Sequence, residues 1–272
     1  MRGGNLPRSA VVLAVLVAAP AAAEGPPVTC LIEPAETIQL STAVAGVVSE
    51  THVDRGDRVA AGDVVARLDS QVEAAAVALA RARADNPHGV ATARARLDFL
   101  LLRAERNEQL AARNALSRSA ADESAMEVAV AREELAAAEL ARDLAALELA
   151  EAEARLSLKT LRSPVDGVVT ERLMGVGEYR NEQSHLVTIV RLDPLRVEVF
   201  APISLYGRVR VGDRATVRPE APVGGAHEAT VTVVDPVLDP ATGTFGLRLE
   251  LPNPDLTVPA GLRCEVEFHP PA

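Results

Sequence analysis

Apolar residues between Ser70 and Leu161 recur at alternating steps of three and four, a pattern that predicts two long helices folded back on each other. The return helix carries the clearer stripe, which consists of Met126, Val130, Glu133, Ala137, Leu140, Leu144, Leu147, Glu151, Ala154, Leu158 and Leu161. Its 3.5-residue period is typical of a coiled coil, because it keeps one seam facing a partner helix. A weaker stripe beside it consists of Val128, Ala131, Leu135, Ala138, Ala145, Leu149, Ala152 and Leu156. Two stripes indicate either a second neighbour, such as another subunit, or one broad face of an ordinary hairpin.

Capping and helix-breaking residues mark the ends of these helices. Two pairs have the spacing of a capping box, in which each side chain satisfies an orphan backbone donor: Ser70 with Glu73, and Ser119 with Asp122. Pro87 predicts a kink or short break in the outgoing arm, because proline lacks an amide hydrogen. The turn is predicted near residues 114–117. Each arm has roughly 40 residues, so at ~1.5 Å per residue the hairpin extends about 60 Å.

Short β segments flank the hairpin, and their sequence is repeated. Residues 46–50 are echoed by 167–171, and residues 66–69 are echoed by 190–193. Internal repetition of this kind indicates two related structural halves. Because one half of about 30 residues buries too little apolar surface to stand alone, the two halves are predicted to pack on each other and close a small sandwich.

A third block follows and is again rich in predicted strands. Alternating or partly alternating apolar positions occur in five segments: 195–200, 215–218, 230–234, 245–251 and 262–268. Several short strands at this spacing predict a small barrel or sandwich. The predicted organisation is a signal peptide at 1–23, a leader at 24–37, a split β unit at 38–69 and 162–193, a hairpin at 70–161, and a β domain at 194–272.

The first 23 residues have the composition of a secretory signal. Arg2 and Arg8 precede an apolar run at 10–17, and Ala21–Ala23 supplies an A-x-A cleavage site. The run is shorter than the about 20 residues that span a bilayer, so cleavage is expected, with an uncleaved anchor as the alternative. Two cysteines, Cys30 and Cys264, either form a disulfide in an exported protein or remain as buried thiols.

Charge and composition exclude several classes of function. The formal charge is −10 and no basic patch is evident, which argues against a nucleic-acid partner. The five histidines are scattered without metal-ligand spacing, and no P-loop lysine follows the glycine-rich segments. The sequence therefore predicts no catalytic, cofactor-binding or metal site, and the protein is not expected to be an enzyme.

The order of modules resembles a known family. The phrases at 46–69, 161–169, 193–197 and 235–245 look like those of periplasmic adaptor proteins, the HlyD-like membrane fusion proteins of tripartite efflux pumps. The resemblance implies a mixed, elongated fold: a split lipoyl-like barrel-sandwich hybrid with an inserted α-helical coiled-coil hairpin, followed by a small β-barrel. It also implies a non-catalytic periplasmic subunit that links an inner-membrane transporter to a TolC-type outer-membrane channel and exports small molecules.

The resemblance also implies partners. A transporter of the resistance-nodulation-division type is favoured, with an ATP-driven or type I secretion exporter as the alternative, and the adaptor is expected to be a homo-oligomer, trimer to hexamer, in the complex. Many members carry a further membrane-proximal domain after the barrel. Here the sequence ends at Ala272, so the barrel is expected to supply the transporter-docking surface.

A three-residue motif places the channel contact. Arg106, Leu110 and Ser117 match the family's tip motif in spacing and flank the predicted turn, so the resemblance implies that they contact the helical tips of the channel. The alternative is that Arg106 is a solvated helix residue and Ser117 only a helix cap. Two other classes of protein stay open: a lipoyl or biotinyl carrier, for which Lys159 is the one lysine that could be modified, and a passive structural coiled coil.

Overall fold

The computed structural model describes residues 28–181 and 183–269. Its residues form two compact units, one within Pro34–Pro194 and the other made of residues 28–33 and 195–269. The predicted signal peptide at 1–23 lies outside the described residues. In the part of the chain described here, no helix combines the length and apolar character needed to cross a bilayer.

The strands of the first unit belong to two sheets. They are β2 (Gly46–Thr51), β3 (Arg58–Val59), β4 (Val64–Leu68), β5 (Thr160–Arg162), β6 (Gly167–Arg172) and β7 (Tyr179–Arg180), together with parts of β1 (Val28–Ser41) and β8 (His185–Pro202). One sheet has the order β5-β4-β2-β7, and in the other β8 pairs with β6, which pairs with β3. The prediction of a leader at 24–37 was wrong for residues 28–37, which form most of strand β1.

Strands of the two repeated halves pair with each other, which agrees with the predicted packing of one half on the other. Strand β2 of the first half pairs with β7 of the second, and β6 of the second pairs with β3 of the first. The Val48 amide donates to the Glu178 carbonyl at 2.9 Å, and the equivalent Val169 amide donates to the Asp57 carbonyl at 2.9 Å. The core between the sheets draws on both halves: Val48, Val59, Val65, Ala66, Leu68, Val169, Met174, Leu186, Val187 and Ile189. Neither half has this core alone, which confirms the predicted split sandwich.

The hairpin consists of three helices, α1 (Gln71–Ala84), α2 (His88–Ala112) and α3 (Arg118–Ser157). The outgoing arm breaks at residues 85–87, as Pro87 predicted, and both of its helices pack on α3. The predicted boundary at 161/162 was wrong, because α3 ends at Ser157 and residues 160–162 already pair with β4.

Neither predicted capping box forms. Ser70 is the N-cap of α1 but its side chain makes no cap hydrogen bond, and the Glu73 carboxylate instead lies 3.0 Å from the Lys159 ammonium. An ion pair to another segment has thus replaced a local bond. Helix α3 begins after Ser117, not Ser119, because the Ser117 hydroxyl accepts from the Ala120 amide at 3.2 Å in an extended N-cap conformation.

The stripe that we described as clearer does not face the outgoing arm. Ala131 and Val128 of the weaker stripe are buried against Leu100, whereas Met126 and Leu147 of the clearer stripe are 66% and 67% exposed. The two stripes are offset by two residues, about 200° around a helix, so the clearer stripe lies on the back of α3. Ion pairs join the outgoing arm to the side of α3 that carries the weaker stripe: Arg81–Glu153, Arg94–Glu139, Arg96–Glu134 and Arg103–Glu127.

The second unit is a β structure closed by its first and last strands. Its further strands are β9 (Arg214–Pro219), β10 (His227–Asp239), β11 (Thr244–Leu251) and β12 (Arg263–Phe268). The order is β1-β12-β9-β10-β11-β8, and β1 also pairs with β8, so the six strands follow one another around a ring. Cys30 of β1 is opposite Cys264 of β12, and the two form a buried disulfide with an S–S distance of 2.07 Å.

Candidate functional site: the hairpin tip

The tip of the hairpin is closed by a specific helix C-cap. Asn114 follows α2 with a φ of 56°, in the left-handed region that asparagine tolerates better than most residues. The Asn114 amide donates to the Ala111 carbonyl at 3.0 Å, and the Ala115 amide donates to the Leu110 carbonyl at 2.8 Å. This pair of bonds is the Schellman motif, which satisfies the last carbonyls of α2 and fixes the direction of the turn.

An ion pair braces the other side of the turn. The Arg118 guanidinium, in the first turn of α3, lies 2.9 Å from the Glu108 carboxylate of α2. The Ser117 hydroxyl is 3.2 Å from the Ala120 amide and 3.2 Å from the Ser119 hydroxyl. The tip therefore has a defined shape before any partner binds, which lowers the entropy that binding must overcome.

The structure brings the three predicted tip residues to this end of the hairpin. Arg106 and Leu110 lie one turn apart on α2, so both point to one side of the helix. Arg106 is exposed and makes no ion pair within the described residues, and Leu110 is 39% exposed. Ser117 is exposed as well, but its hydroxyl already serves as the cap of α3.

The three residues can therefore do different things chemically. Among the residues that the structure describes, no carboxylate pairs with the guanidinium donors of Arg106, and Leu110 offers an apolar side chain to a facing surface. The Ser117 hydroxyl caps α3, and the side chains of Arg106 and Leu110 are exposed beside it at the tip.

Two apolar faces on the backs of the helices are a second feature of the hairpin. On α3 the exposed residues are Met126, Val130, Leu140, Leu144 and Leu147. On the outgoing arm they are Val72, Leu79, Phe99 and Leu102. The α3 set and the pair Phe99 and Leu102 lie two residues away from the seam positions of their helices, so they point away from the seam on opposite sides of the hairpin. Val72 instead lines a groove that it shares with Ala152 and Leu158 of the return arm. The sequence signalled the α3 set as a strong stripe, but we assigned it to the wrong neighbour, and the outgoing-arm set was missed because its members are too widely spaced to form a stripe.

In the described part of the chain, the carboxyl groups with a lowered pKa lie in turns and ion pairs. The pKa is held below its usual value in four carboxyl groups that accept hydrogen bonds from backbone amides or basic side chains: Asp54, Glu73, Glu178 and Asp239. A lowered pKa keeps a carboxylate ionised at neutral pH and unsuited to act as a general acid. Within the same described residues, no group of three or more His, Cys, Asp or Glu side chains is placed to hold a metal ion.

Comparison with known proteins identifies the split unit. Residues 36–191 match the CzcB-like barrel-sandwich hybrid domain, and this match covers more than half of the chain. The chain belongs to the CzcB-like barrel-sandwich hybrid family. Residues 195–272 match the CusB-like β-barrel domain, so both units of this family member are accounted for. These matches confirm the resemblance to periplasmic adaptor, or membrane fusion, proteins and the fold class that it implied.

Individual relatives have the same modules. The multidrug resistance protein MdtE of Escherichia coli K12 is 27% identical over 241 residues, which cover 82% of this chain and 58% of MdtE. The cobalt-zinc-cadmium resistance protein CzcB of Cupriavidus metallidurans is 26% identical over 239 residues, 85% of this chain and 42% of CzcB. This chain thus spans about half the length of these curated relatives.

A solved structure shows the same fold. MacA from Actinobacillus actinomycetemcomitans superposes with a TM-score of 0.74 at 19% identity, over 90% of this chain and 78% of MacA. The membrane fusion protein Spr0693 from Streptococcus pneumoniae R6 superposes with a TM-score of 0.61 at 17% identity, over 91% of this chain and all of that one.

Proposed function

We propose that this chain is a periplasmic adaptor subunit that links an inner-membrane efflux transporter to a TolC-type outer-membrane channel for the export of small molecules. Membership of the CzcB-like family and the CusB-like barrel favour a transporter of the resistance-nodulation-division type. The observation that carries the proposal is a preformed hairpin tip with an exposed Arg106, which makes no ion pair in the described part of the chain, and an exposed Leu110. The adaptor is non-enzymatic. It reaches the periplasm through a cleaved signal at 1–23, so the measured mass of the mature protein should correspond to a chain that begins at Glu24.

At the tip, Leu110 inserts between helices of the channel, and Arg106 donates hydrogen bonds to backbone carbonyls that helix ends leave free. The first test replaces each group in cells that depend on this adaptor for export. Arg106→Glu and Leu110→Asp are expected to abolish cross-linking of the tip to the channel and to reduce export, while the helical circular dichroism stays unchanged.

Arg132 supplies a matched control for the charge change. It is an exposed arginine of α3 that makes no ion pair within the described residues and lies well away from the turn. Arg132→Glu is expected to leave channel cross-linking intact. Wild-type export by both Arg106→Glu and Leu110→Asp would exclude the tip as the channel contact and favour a passive coiled coil. Identification of the transporter that co-purifies with the wild-type cross-linked complex would show whether it is of the proton-driven or the ATP-driven type.

The two apolar backs of the hairpin support a homo-oligomer in which neighbouring hairpins stand side by side. The Arg103–Glu127 and Arg96–Glu134 ion pairs show which residues of the two arms lie at the same height along the hairpin. Phe99 lies between the two arginines in sequence and is therefore at about the height of Val130. Because the two backs are different surfaces on opposite sides, the back of α3 in one copy meets the back of the outgoing arm in the next. Such a head-to-tail contact does not stop at a dimer, and it closes a ring when the rotation between neighbouring copies is a whole fraction of a turn.

A pair of cysteines tests this arrangement in the oxidising periplasm. Phe99→Cys and Val130→Cys lie on opposite backs of one hairpin, beyond the reach of a disulfide within a chain. The double variant should give a ladder of cross-linked species that ends at the number of copies in the ring, between three and six. Each single variant can reach at most a dimer and serves as the control. A double variant that remains monomeric on the gel would refute the side-by-side contact.

A further inference from the structure

The one lysine of the chain lies at the root of the hairpin. Lysine and arginine together number 28, and Lys159 is the only lysine among them. It comes directly after Leu158, the C-cap of α3. Its ammonium lies 3.0 Å from the Glu73 carboxylate, in the first turn of α1, and 3.4 Å from the Ala45 carbonyl, in the loop before β2. A single charged group therefore joins both arms of the hairpin to the sandwich.

This ion pair is more sheltered than the others along the hairpin. The Lys159 and Glu73 side chains are 15% and 25% exposed, whereas those of Arg81 and Glu153 are 57% and 48% exposed. The hydrogen bond from Lys159 is the largest of the effects that hold the pKa of Glu73 below its usual value. A sheltered pair is costly to break from one side, because the remaining charge stays without a partner away from bulk water.

The Lys159 ammonium lies close to the start of β2. A Cβ added to Gly46 would lie 3.6 Å from this ammonium and 3.2 Å from a Leu68 methyl group. An ammonium is a compact point charge on a flexible stem, whereas a guanidinium is a wide planar group. The ammonium reaches both the Glu73 carboxylate and the Ala45 carbonyl.

We propose that the Lys159–Glu73 pair fixes the angle at which the hairpin leaves the sandwich, and so positions the tip for the channel. This inference rests on the proposed function for its biological consequence, although its structural part is independent of any partner. The 40 residues of α3 are about 60 Å long, so a rotation of about 5° at the root moves the tip by about 5 Å, the height of a helical turn. Lys159 is thus a positioning residue that acts through the tip.

The engaged state of Lys159 also separates this role from that of a carrier lysine. A lipoyl or biotinyl carrier presents its lysine on an exposed turn, free to be acylated. Here the ammonium is bound on two sides and its side chain is mostly sheltered. The intact mass of the mature protein should accordingly show no added cofactor.

The test measures the distance between tip and sandwich in the purified chain. Spin labels on cysteines placed at Ala112, near the tip, and at Val176, in the exposed turn before β7, report the distance distribution by pulsed electron resonance. Lys159→Met and Glu73→Gln are expected to broaden the distribution by about 5 Å, the tip displacement estimated above. The charge-reversed double variant, Glu73→Lys with Lys159→Glu, should narrow it again, which a general loss of stability would not do.

Arg155 provides the matched control one turn before Lys159. Its pair with Glu151 is 2.6 Å long, but both side chains are largely exposed, so Arg155→Met should leave the distribution unchanged. Glu73→Gln keeps the shape of the side chain and preserves the test if Lys159→Met does not fold. Unchanged widths in Glu73→Gln and in any folded Lys159→Met would overturn the proposal. If the wild type has a narrow distance distribution but its tip does not cross-link to the channel, the result counts against the proposed function alone.

Discussion

Opening the Cys30–Cys264 disulfide is expected to remove most of the stability of the second unit. The bond joins the first and last strands of the ring, across a sequence separation of 234 residues. Cross-linking so distant a pair restricts the unfolded chain far more than the folded one, in which β1 and β12 are already adjacent. The perturbation is reduction in denaturant followed by refolding in reductant, because both sulfurs are buried in the native unit.

The size of the effect follows from the length of chain that the bond closes. With all 234 residues unfolded, loop entropy amounts to about 5.5 kcal/mol. If Pro34–Pro194 stays folded, the flexible part shrinks to roughly a third of that length and the value falls to about 4.5 kcal/mol. Domains are stable by only about 5–15 kcal/mol, so either value is a large share of the total.

Tyrosine fluorescence offers an assay confined to the second unit. The chain has no tryptophan and only two tyrosines, Tyr179 and Tyr206. Tyr206 packs edge-on against the buried Phe245 ring with centroids 5.2 Å apart, so Tyr179→Phe leaves one reporter in the second unit. With m on the order of 1–2 kcal/mol/M in urea, the unfolding midpoint should fall by roughly 2–5.5 M on reduction.

The double variant Cys30→Ala with Cys264→Ala separates the cross-link from packing. It should unfold at least as easily as the reduced wild type, and any further loss measures the missing sulfur atoms. The reasoning is refuted if the oxidised and reduced proteins unfold at the same urea concentration while a thiol assay finds two free thiols in the reduced chain.

Three sets of substitutions test local features. Gly167→Ala should lower the free energy of unfolding by about 1–3 kcal/mol, because the new Cβ would lie 2.5 Å from the Val190 carbonyl oxygen. Gly46→Ala at the equivalent position should lower it less, because its nearest atom would be 3.2 Å away. Equal urea midpoints of the two variants would contradict this expectation. Thr42→Val should stabilise by about 1 kcal/mol, because the buried Thr42 hydroxyl has no hydrogen-bond partner in the described structure, and a lower melting temperature would count against it. Asn114→Gly should preserve or raise hairpin stability, and Asn114→Val should lower it by about 1–2 kcal/mol at its positive φ, as measured by thermal circular dichroism; indistinguishable melting of the two variants would show that the cap does not limit stability.

Local features of the hairpin were only partly predictable. Pro87 broke the outgoing arm where expected, because a missing amide hydrogen acts within its own helix. Glu73 was predicted to cap α1 but pairs with Lys159, 86 residues further along the chain. An interaction that distant changes the choice of partner without leaving a local sign in the sequence, which is why the capping prediction failed.

The assignment of the two helical stripes shows a different limit. Both stripes repeat every 3.5 residues, so periodicity alone predicts that each faces a neighbour without saying which. Burial of Ala131 and exposure of Leu147 decided the matter in favour of the weaker stripe. Small residues in the seam let the arms approach closely, and the larger residues are left on the back of α3 for another surface.

The repeated phrases around Gly46 and Gly167, the 3.5-residue period and the order of modules by themselves determined that two β halves hold a helical hairpin and precede a second β unit. These features are periodic or repeated along the chain, and backbone geometry converts such patterns directly into elements. Only the tertiary structure decided which face of α3 meets the outgoing arm, that Glu73 binds Lys159, and that Cys30 lies opposite Cys264. Each of these depends on contacts between distant segments, whose free energies are set by packing and shelter from water and not by any residue's immediate neighbours in the sequence.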